Sequence, residues 1–251
     1  MKWPGAIALA IVALGISGCA DGDDRKTMTV GAAASLVQPI TAFAEEYEAR
    51  HPGARVRIEF GGSDTIAARI RQGIAIDLYV TADATIAETL HDEGIVRRPV
   101  AIARNRLVVA ARKDGPIADF DDLAKPGVRV AIGGPNVPIG AWAREALSAK
   151  GDAYAIQVMT NVVTNELDVR GVVGKIELGV VDAGIVYRTD VPTFDTAVAV
   201  LPFDLDDTPP IIYSAAVTTD VTRGDEANRF IAELAGAAGR ELLTNAGFGP
   251  P

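Results

Sequence analysis

Few residues in this chain could do covalent or metal chemistry. It holds two histidines, His51 and His91, and one cysteine, Cys19, too few nitrogen and sulfur ligands for a zinc centre. Ser35 and Ser63 follow small residues, in Gly31-Ala32-Ala33-Ala34-Ser35 and Gly61-Gly62-Ser63. Neither run matches the G-x-S-x-G elbow of a serine hydrolase, and both histidines fall near predicted helix ends, so no base is at hand. The phosphate-binding patterns G-x-x-x-x-G-K-[ST] and G-x-G-x-x-G are absent. What remains is a repeated junction in which a strand ends in small residues and a helix follows. Asn136-Val137-Pro138-Ile139-Gly140 and Asp168-Val169 add two more. A helix start leaves N–H groups without intrahelical partners, glycines allow close approach to them, and such a place can hold an anion. Each residue also has a plainer reading. Ser35 can head a capping box with Gln38, Ser63 or Asp64 can cap a helix, Ile139 and Val169 can fill the core, and Tyr187 can pack at a strand end.

The elements that carry these junctions alternate. Met28 to Ala32 predicts a strand, Leu36 to Arg50 a helix with Leu36, Val37, Ile40, Phe43, Ala44 and Tyr47 on one stripe, and His51-Pro52-Gly53 its end. Val56 to Phe60, Asp77 to Thr81 and Arg106 to Ala111 read as strands, and Thr65 to Gln72 and Ala84 to Glu93 as helices. A second series follows: strands at Val128 to Ile132, Ala155 to Met159 and Ala183 to Tyr187, with helices at Gly140 to Ala149 and Val169 to Leu178. Strands at Ala197 to Leu201 and Ile211 to Val217 and one helix from Asp225 into Leu243 close the chain. Pro39 stands as a mild fault in the first helix. Asn105 and Arg106 look like a crossing between the two series, and Pro202 to Pro210 like a loop at the return crossing. In such α/β sheets ligands gather at the carboxyl ends of strands.

With 251 residues the chain suits one large α/β domain or two lobes. A net charge of -9 argues against nucleic-acid binding. Lys2 followed by the apolar run Ala6 to Ile16 reads as an export signal too short to span a membrane. Ile16-Ser17-Gly18-Cys19 resembles the lipobox of bacterial lipoproteins. Residues 1–18 are then a signal peptide, Cys19 the lipidated residue, and 19–27 a polar tether.

Over nearly all of the remaining chain an ordered series of motifs resembles the molybdate-binding proteins of bacterial ABC importers. Ala32-Ala33-Ala34-Ser35-Leu36, His51-Pro52-Gly53, Phe60-Gly61-Gly62-Ser63, Thr81-Ala82-Asp83 and Asn105-Arg106-Leu107-Val108 open it. Leu123 to Gly133, Val137-Pro138-Ile139-Gly140, Asp168-Val169-Arg170-Gly171 and Asp182-Ala183-Gly184-Ile185-Val186-Tyr187 complete it. The resemblance implies a type II periplasmic-binding-protein fold. Two lobes, each a mainly parallel sheet flanked by helices, are joined by crossing strands: 28–104 with 213–251, and 105–212. It implies a monomeric, non-enzymatic receptor that needs no cofactor, closes on molybdate or tungstate, and delivers it to an ABC permease from outside the cytoplasm, anchored in the periplasm or at the outer face of the cell membrane. Molybdenum enters only as the bound oxyanion. The implied contacts are Ser35, Ser63 and Tyr187 through hydroxyls, with Ile139 and Val169 through backbone N–H. All can donate, which suits a fully deprotonated dianion.

The alternatives are a receptor for another tetrahedral oxyanion such as sulfate, a secreted hydrolase using Ser35 or Ser63, and a sensor or adhesin lobe that has lost transport. The chain departs from the resemblance at Ile139, where the family has a smaller residue, at Val37-Gln38-Pro39, at Ile74-Ala75-Ile76 and around Thr164 to Glu166. Asp64, a carboxylate beside the expected dianion, must point away from it.

Overall fold

The computed structural model describes residues 27–193, 198–202, 210–221 and 223–251. The export signal, Cys19, the tether up to residue 26 and residues 203–209 of the connecting loop lie outside them.

β1 (Thr27–Ala33) is buried along almost its whole length and pairs in parallel with β2 (Arg55–Gly61) and β3 (Leu78–Thr81). β10 (Ile211–Val217) runs antiparallel between β3 and β4 (Val100–Asn105). The resulting order is β2-β1-β3-β10-β4. The second sheet has the same layout, β7-β6-β8-β5-β9, built from β5 (Leu107–Arg112), β6 (Val130–Gly133), β7 (Val162–Glu166), β8 (Ala183–Tyr187) and β9 (Val198–Pro202). Here β5 is the strand that runs against its neighbours. Only Arg106 separates β4 from β5, so the chain passes from one sheet to the other with almost no linker.

Helices cover the sheets. α1 (Val37–Arg50) buries Ile40, Phe43, Ala44 and Tyr47, and Phe43 meets Phe230 edge-on at 4.9 Å. α2 (Ser63–Arg71) and α3 (Ala84–Asp92) follow β2 and β3. α4 (Pro138–Ala149), α5 (Asp152–Thr160) and α6 (Val169–Glu177) belong to the second sheet, and α7 (Gly224–Leu234) and α8 (Ala237–Asn245) return to the first. Each fully buried large apolar side chain contributes roughly 1.5–3 kcal/mol. Phe43, Phe230, Met28, Leu36, Leu78 and Leu90 are all of that kind.

Four expectations are corrected. Ala155 to Met159 is not a strand but the body of α5. Gly151, at φ 128, turns the chain into that helix, and Tyr154 donates its hydroxyl to the Phe120 carbonyl in the 3-10 turn Phe120–Ala124, 34 residues earlier. The strand lies just beyond, where Val162, Val163 and Thr164 supply the β-branched run. β4 was not expected as a strand, although its register with β10 is continuous apart from a shift at Tyr213/Ser214. The final helix is two, because Gly236 is extended between α7 and α8. Pro39 is no fault: it is the third residue of α1, among the N–H positions that have no intrahelical acceptor.

Candidate functional site

Parallel pairing decides which loops share an edge. β1, β2 and β3 run together, so the turns after Ala33, Gly61 and Thr81 emerge on one side of the first sheet. β6, β7 and β8 do the same for the turns after Gly133, Glu166 and Tyr187. The two edges face each other across one small cavity. It is lined by Ser35, Ser63 and Ala82 from the first sheet's edge and by Ile139, Asp168, Val169 and Tyr187 from the second's. All five residues singled out in the sequence therefore meet there. The space is about 20 Å³ measured at water centres, room for roughly one water.

Three α-helices begin at the cavity wall. Ser63 is the first residue of α2, Ile139 the second of α4, and Val169 the first of α6. Helix starts carry partial positive charge and free N–H groups. Among the described residues no lysine, arginine or histidine lines the space, and the one acid there, Asp168, caps α6 by accepting from the Gly171 N–H at 3.0 Å.

The serines are not caps. Gly62, not Ser63, is the N-cap of α2, and the turn at Ala34–Leu36 before α1 has no side-chain cap, so the capping box expected from Ser35 to Gln38 does not form. Ser63 is 1% exposed, and its Oγ accepts from the Ala82 N–H at 3.1 Å. Its carbonyl accepts from the buried Tyr79 hydroxyl at 2.8 Å, which fixes the turn from beneath. Ser35 Oγ lies 2.9 Å from the Tyr213 hydroxyl. Tyr187 is 2% exposed and its hydroxyl has no hydrogen-bond partner among the described residues. Burial pushes that phenol well above its ordinary pKa, so it stays protonated and able to donate.

Ile139 and Val169 are buried, and Ile139 turns its Cγ2 toward Gly133 at the end of β6. Part of its extra bulk is thus taken up by a glycine. Asp64 is absent from the cavity wall; its Oδ1 folds back over Gly62 and is buried with no hydrogen-bond partner among the described residues. Burial raises its pKa, nearby N–H groups oppose this, and Asp168 across the cleft adds to the rise. Sequence reasoning missed Ala82 and Tyr213 as supports of the serines. A tyrosine inside a strand of small and aliphatic residues was the available signal for Tyr213, since a buried phenol wants a polar partner.

Asp190 ties the second edge together by accepting from the Tyr187 N–H at 3.1 Å. Burial pushes its carboxyl up to about 7, while the Tyr187 N–H and Arg170 pull it down. Because the folded value lies above the unfolded one, the folded chain binds the extra proton between about pH 4 and pH 7. Its contribution to stability is therefore greatest on the acid side, falls as pH rises through that window, and is flat above it. Asp190→Asn should remove this component, on the order of a few kcal/mol. Denaturant midpoints at pH 5 and pH 7.5 check it: the difference between wild type and variant must change with pH in that sense, and a constant difference would refute the assignment.

A larger hollow, about 730 Å³, opens at the end of α1 and is lined by Arg50, Arg97, Arg223 and Arg229 among others. All its walls come from elements of the first sheet, so it has no part in bringing the two edges together.

The comparisons with known proteins fit this arrangement. Residues 28–249 match the family model for bacterial extracellular solute-binding proteins. The chain belongs to that family. It is therefore a solute-binding protein, not an enzyme. This solute-binding protein is 30% identical, over all of both chains, to the molybdate-binding protein ModA of Mycobacterium tuberculosis H37Rv. It is 28% identical, over 96% of each chain, to the putative ABC transporter substrate-binding lipoprotein YvgL of Bacillus subtilis. Among solved structures, the periplasmic molybdate-binding protein of Azotobacter vinelandii superposes with a TM-score of 0.77, covering 89% of this chain and 99% of that one at 21% identity. The shared fold is the two-lobed periplasmic-binding-protein fold.

Proposed function

We propose that the solute-binding protein captures molybdate or tungstate outside the cytoplasm and delivers it to an ABC permease. The observation that carries this reading is the meeting of Ser35, Ser63, Ile139, Val169 and Tyr187, drawn from both sheets, around one cavity that no basic side chain of the described residues lines. Three hydroxyls and the free N–H groups of helix starts make a site of donors. A tetrahedral dianion supplies only acceptors. Neutral donors also avoid the desolvation of a buried lysine or arginine. The full-length relatives named for molybdate binding support the same ligand.

In this reading the lobe of the first sheet and the lobe of the second rotate about the crossings near Arg106 and before Ile211. Binding and closure are coupled because each lobe supplies part of the contacts, and a ligand shifts only an equilibrium whose states it binds differently. Cys19 supplies the lipid anchor, in keeping with the lipoprotein relative, and the receptor works as a monomer.

A thermal-shift panel with molybdate, tungstate, sulfate and phosphate tests the reading. A ligand that binds the folded chain at a hundred times its dissociation constant stabilises it by about 2.7 kcal/mol. Molybdate and tungstate are expected to raise Tm at micromolar concentration, and sulfate only at much higher concentration. No rise with any of the four at millimolar concentration would end the oxyanion reading; a rise with sulfate at the lowest concentration would reassign the ligand.

A further inference from the structure

The hollow at the end of α1 carries charges that the fold does not use. Arg50, Arg97, Arg223 and Arg229 line it against two acids, Asp225 and Glu226, a local basic excess on a chain of net charge -9. Glu226 holds Arg223 at 2.9 Å, and Glu233 holds Arg50 at 3.2 Å and His51 at 2.7 Å. Arg97 and Arg229 make no ion pair among the described residues.

Two further observations point to an anionic ligand. Arg97 lies on the N-terminus of α7, where a Cβ on Gly224, its first residue, would meet Arg97 Nη2 at 2.7 Å. No side chain caps that helix, so a guanidinium and free helical N–H groups, both positive, converge on one place. An anion between them satisfies both. The second is Tyr47, which lines the hollow and is fully buried, yet has a hydroxyl with no hydrogen-bond partner among the described residues. Burial raises the pKa of that phenol, and the charges that act on it are those of Glu226, Arg229, Glu233 and Arg223. It stays protonated, and a buried donor left unpaired is costly.

The hollow lies at the end of the first sheet opposite the cleft. Its wall leads through Ala54 into Arg55, which pairs with Thr27 at the start of β1, whereas the cleft lies beyond Ala33 at the other end of that strand. The chain therefore enters the fold beside the hollow. Residues 19–26 can span at most about 30 Å, so an anchor at Cys19 keeps this end close to lipid headgroups. At about 730 Å³ the hollow is far roomier than a bare tetrahedral anion needs, and it falls within the range of small-molecule sites.

We infer that the hollow is a second binding site, which takes the phosphate and adjoining glycerol of an anionic phospholipid headgroup. Arg97, Arg229 and the start of α7 hold the phosphate, and Tyr47 donates to the headgroup from the floor. The lipid as source of the phosphate rests on the reading of Cys19 as an anchor; the anion site does not. Docked in this way the receptor waits with its cleft turned from the bilayer, and it lets go of the headgroup to present the cleft to a permease.

Vesicle flotation tests this with the chain from residue 19 onward carrying Cys19→Ser, so that no acyl group contributes. The vesicles are phosphatidylcholine alone or mixed with phosphatidylglycerol. Binding to the anionic vesicles and not to the neutral ones is expected. Arg97→Gln with Arg229→Gln should weaken it about thirtyfold, and Tyr47→Phe, which changes no charge, about three- to tenfold. Arg98→Gln with Lys113→Gln removes the same charge outside the hollow and should bind as wild type does.

No binding to anionic vesicles would overturn the inference. Equal weakening by the two charge-matched pairs would do so too, since it marks diffuse attraction, and so would unchanged binding in Tyr47→Phe. Arg97 and Arg229 are exposed, so their pair carries the test should Tyr47→Phe fail to fold by circular dichroism. Calorimetric titration with inorganic phosphate and glycerol 1-phosphate, molybdate being present throughout, separates the two sources. Binding of either that the arginine pair abolishes, without vesicle binding, would assign the hollow to a soluble phosphate compound and overturn the lipid. None of these readouts uses the cleft, so the second site and the oxyanion reading stand or fall separately.

Discussion

Alanine at Gly62 is expected to weaken oxyanion binding at least a hundredfold while leaving each lobe folded. Gly62 has an ordinary backbone, φ -61 and ψ 136, so conformation does not demand glycine there. Space does. A Cβ on Gly62 would sit 2.6 Å from the backbone carbonyl of Leu167, on the opposite edge of the cleft, and 2.7 Å from Asp64 Oδ1. The carboxylate can swing aside, but the carbonyl is fixed between β7 and the cap of α6, so relief comes by moving the lobes apart.

That motion draws Ile139, Val169 and Tyr187 away from Ser35 and Ser63. Losing two or three hydrogen bonds to a charged ligand, at about 1.5–3 kcal/mol each, accounts for the expected factor. Titration calorimetry reads the affinity, and small-angle scattering with saturating molybdate reads the closure. A variant that binds as tightly as wild type and compacts equally on ligand addition would show that Gly62 and Leu167 do not meet in the bound state.

The ease with which this site was read from sequence differs between its layers. The residues facing the cavity lie in short local patterns: Ser35 and Ser63 behind small residues, Ile139 after a proline at a helix start, Val169 behind the capping Asp168. Strand ends and helix starts are decided over a few residues, so such patterns survive in one dimension. The sheet order was legible only through its alternation of strands and helices, and it failed where apolar runs were short. Ala155 to Met159 is apolar enough for a strand and Val162 to Thr164 is β-branched enough for one, and it is Gly151 and the packing of Tyr154 on Phe120 that assign the first to a helix.

The supports behind the cavity were not legible. Tyr213 reaches Ser35 across 178 positions of sequence, and Ala82 reaches Ser63 because β2 and β3, whose ends lead into them, flank β1 in the sheet. No local pattern carries that information. Asp64 stands between the two cases. Its identity raised the question of where a carboxylate goes beside an anion site, and only the turn at Gly62 answers it, by folding the group back out of the cavity wall.

The second large effect is expected at Gly140. It is the third residue of α4, and a Cβ there would lie 2.0 Å from the Gly134 carbonyl oxygen and 2.2 Å from that of Gly133. Both are backbone atoms at the end of β6, and neither can rotate away. Arg144 makes the junction stiffer: its Nη1 donates to the Gly133 and Gly140 carbonyls at 2.9 Å each, and its Nη2 to Asn165 Oδ1 at 2.7 Å. Gly140→Ala must push the start of α4 off the strand, breaking that clamp and carrying the Ile139 N–H out of the cleft. Overpacking of this kind costs about 1–3 kcal/mol or more, and for a chain of this size each kcal/mol lowers Tm by roughly 2–4 °C. Differential scanning calorimetry should therefore show a drop of several degrees, together with loss of the ligand-induced rise in Tm. The order of the two effects is informative, since Gly62→Ala should lose the ligand response with little change in the ligand-free Tm. If Gly140→Ala melts where wild type melts and responds equally to molybdate, the close contact between α4 and β6 does not position the Ile139 N–H.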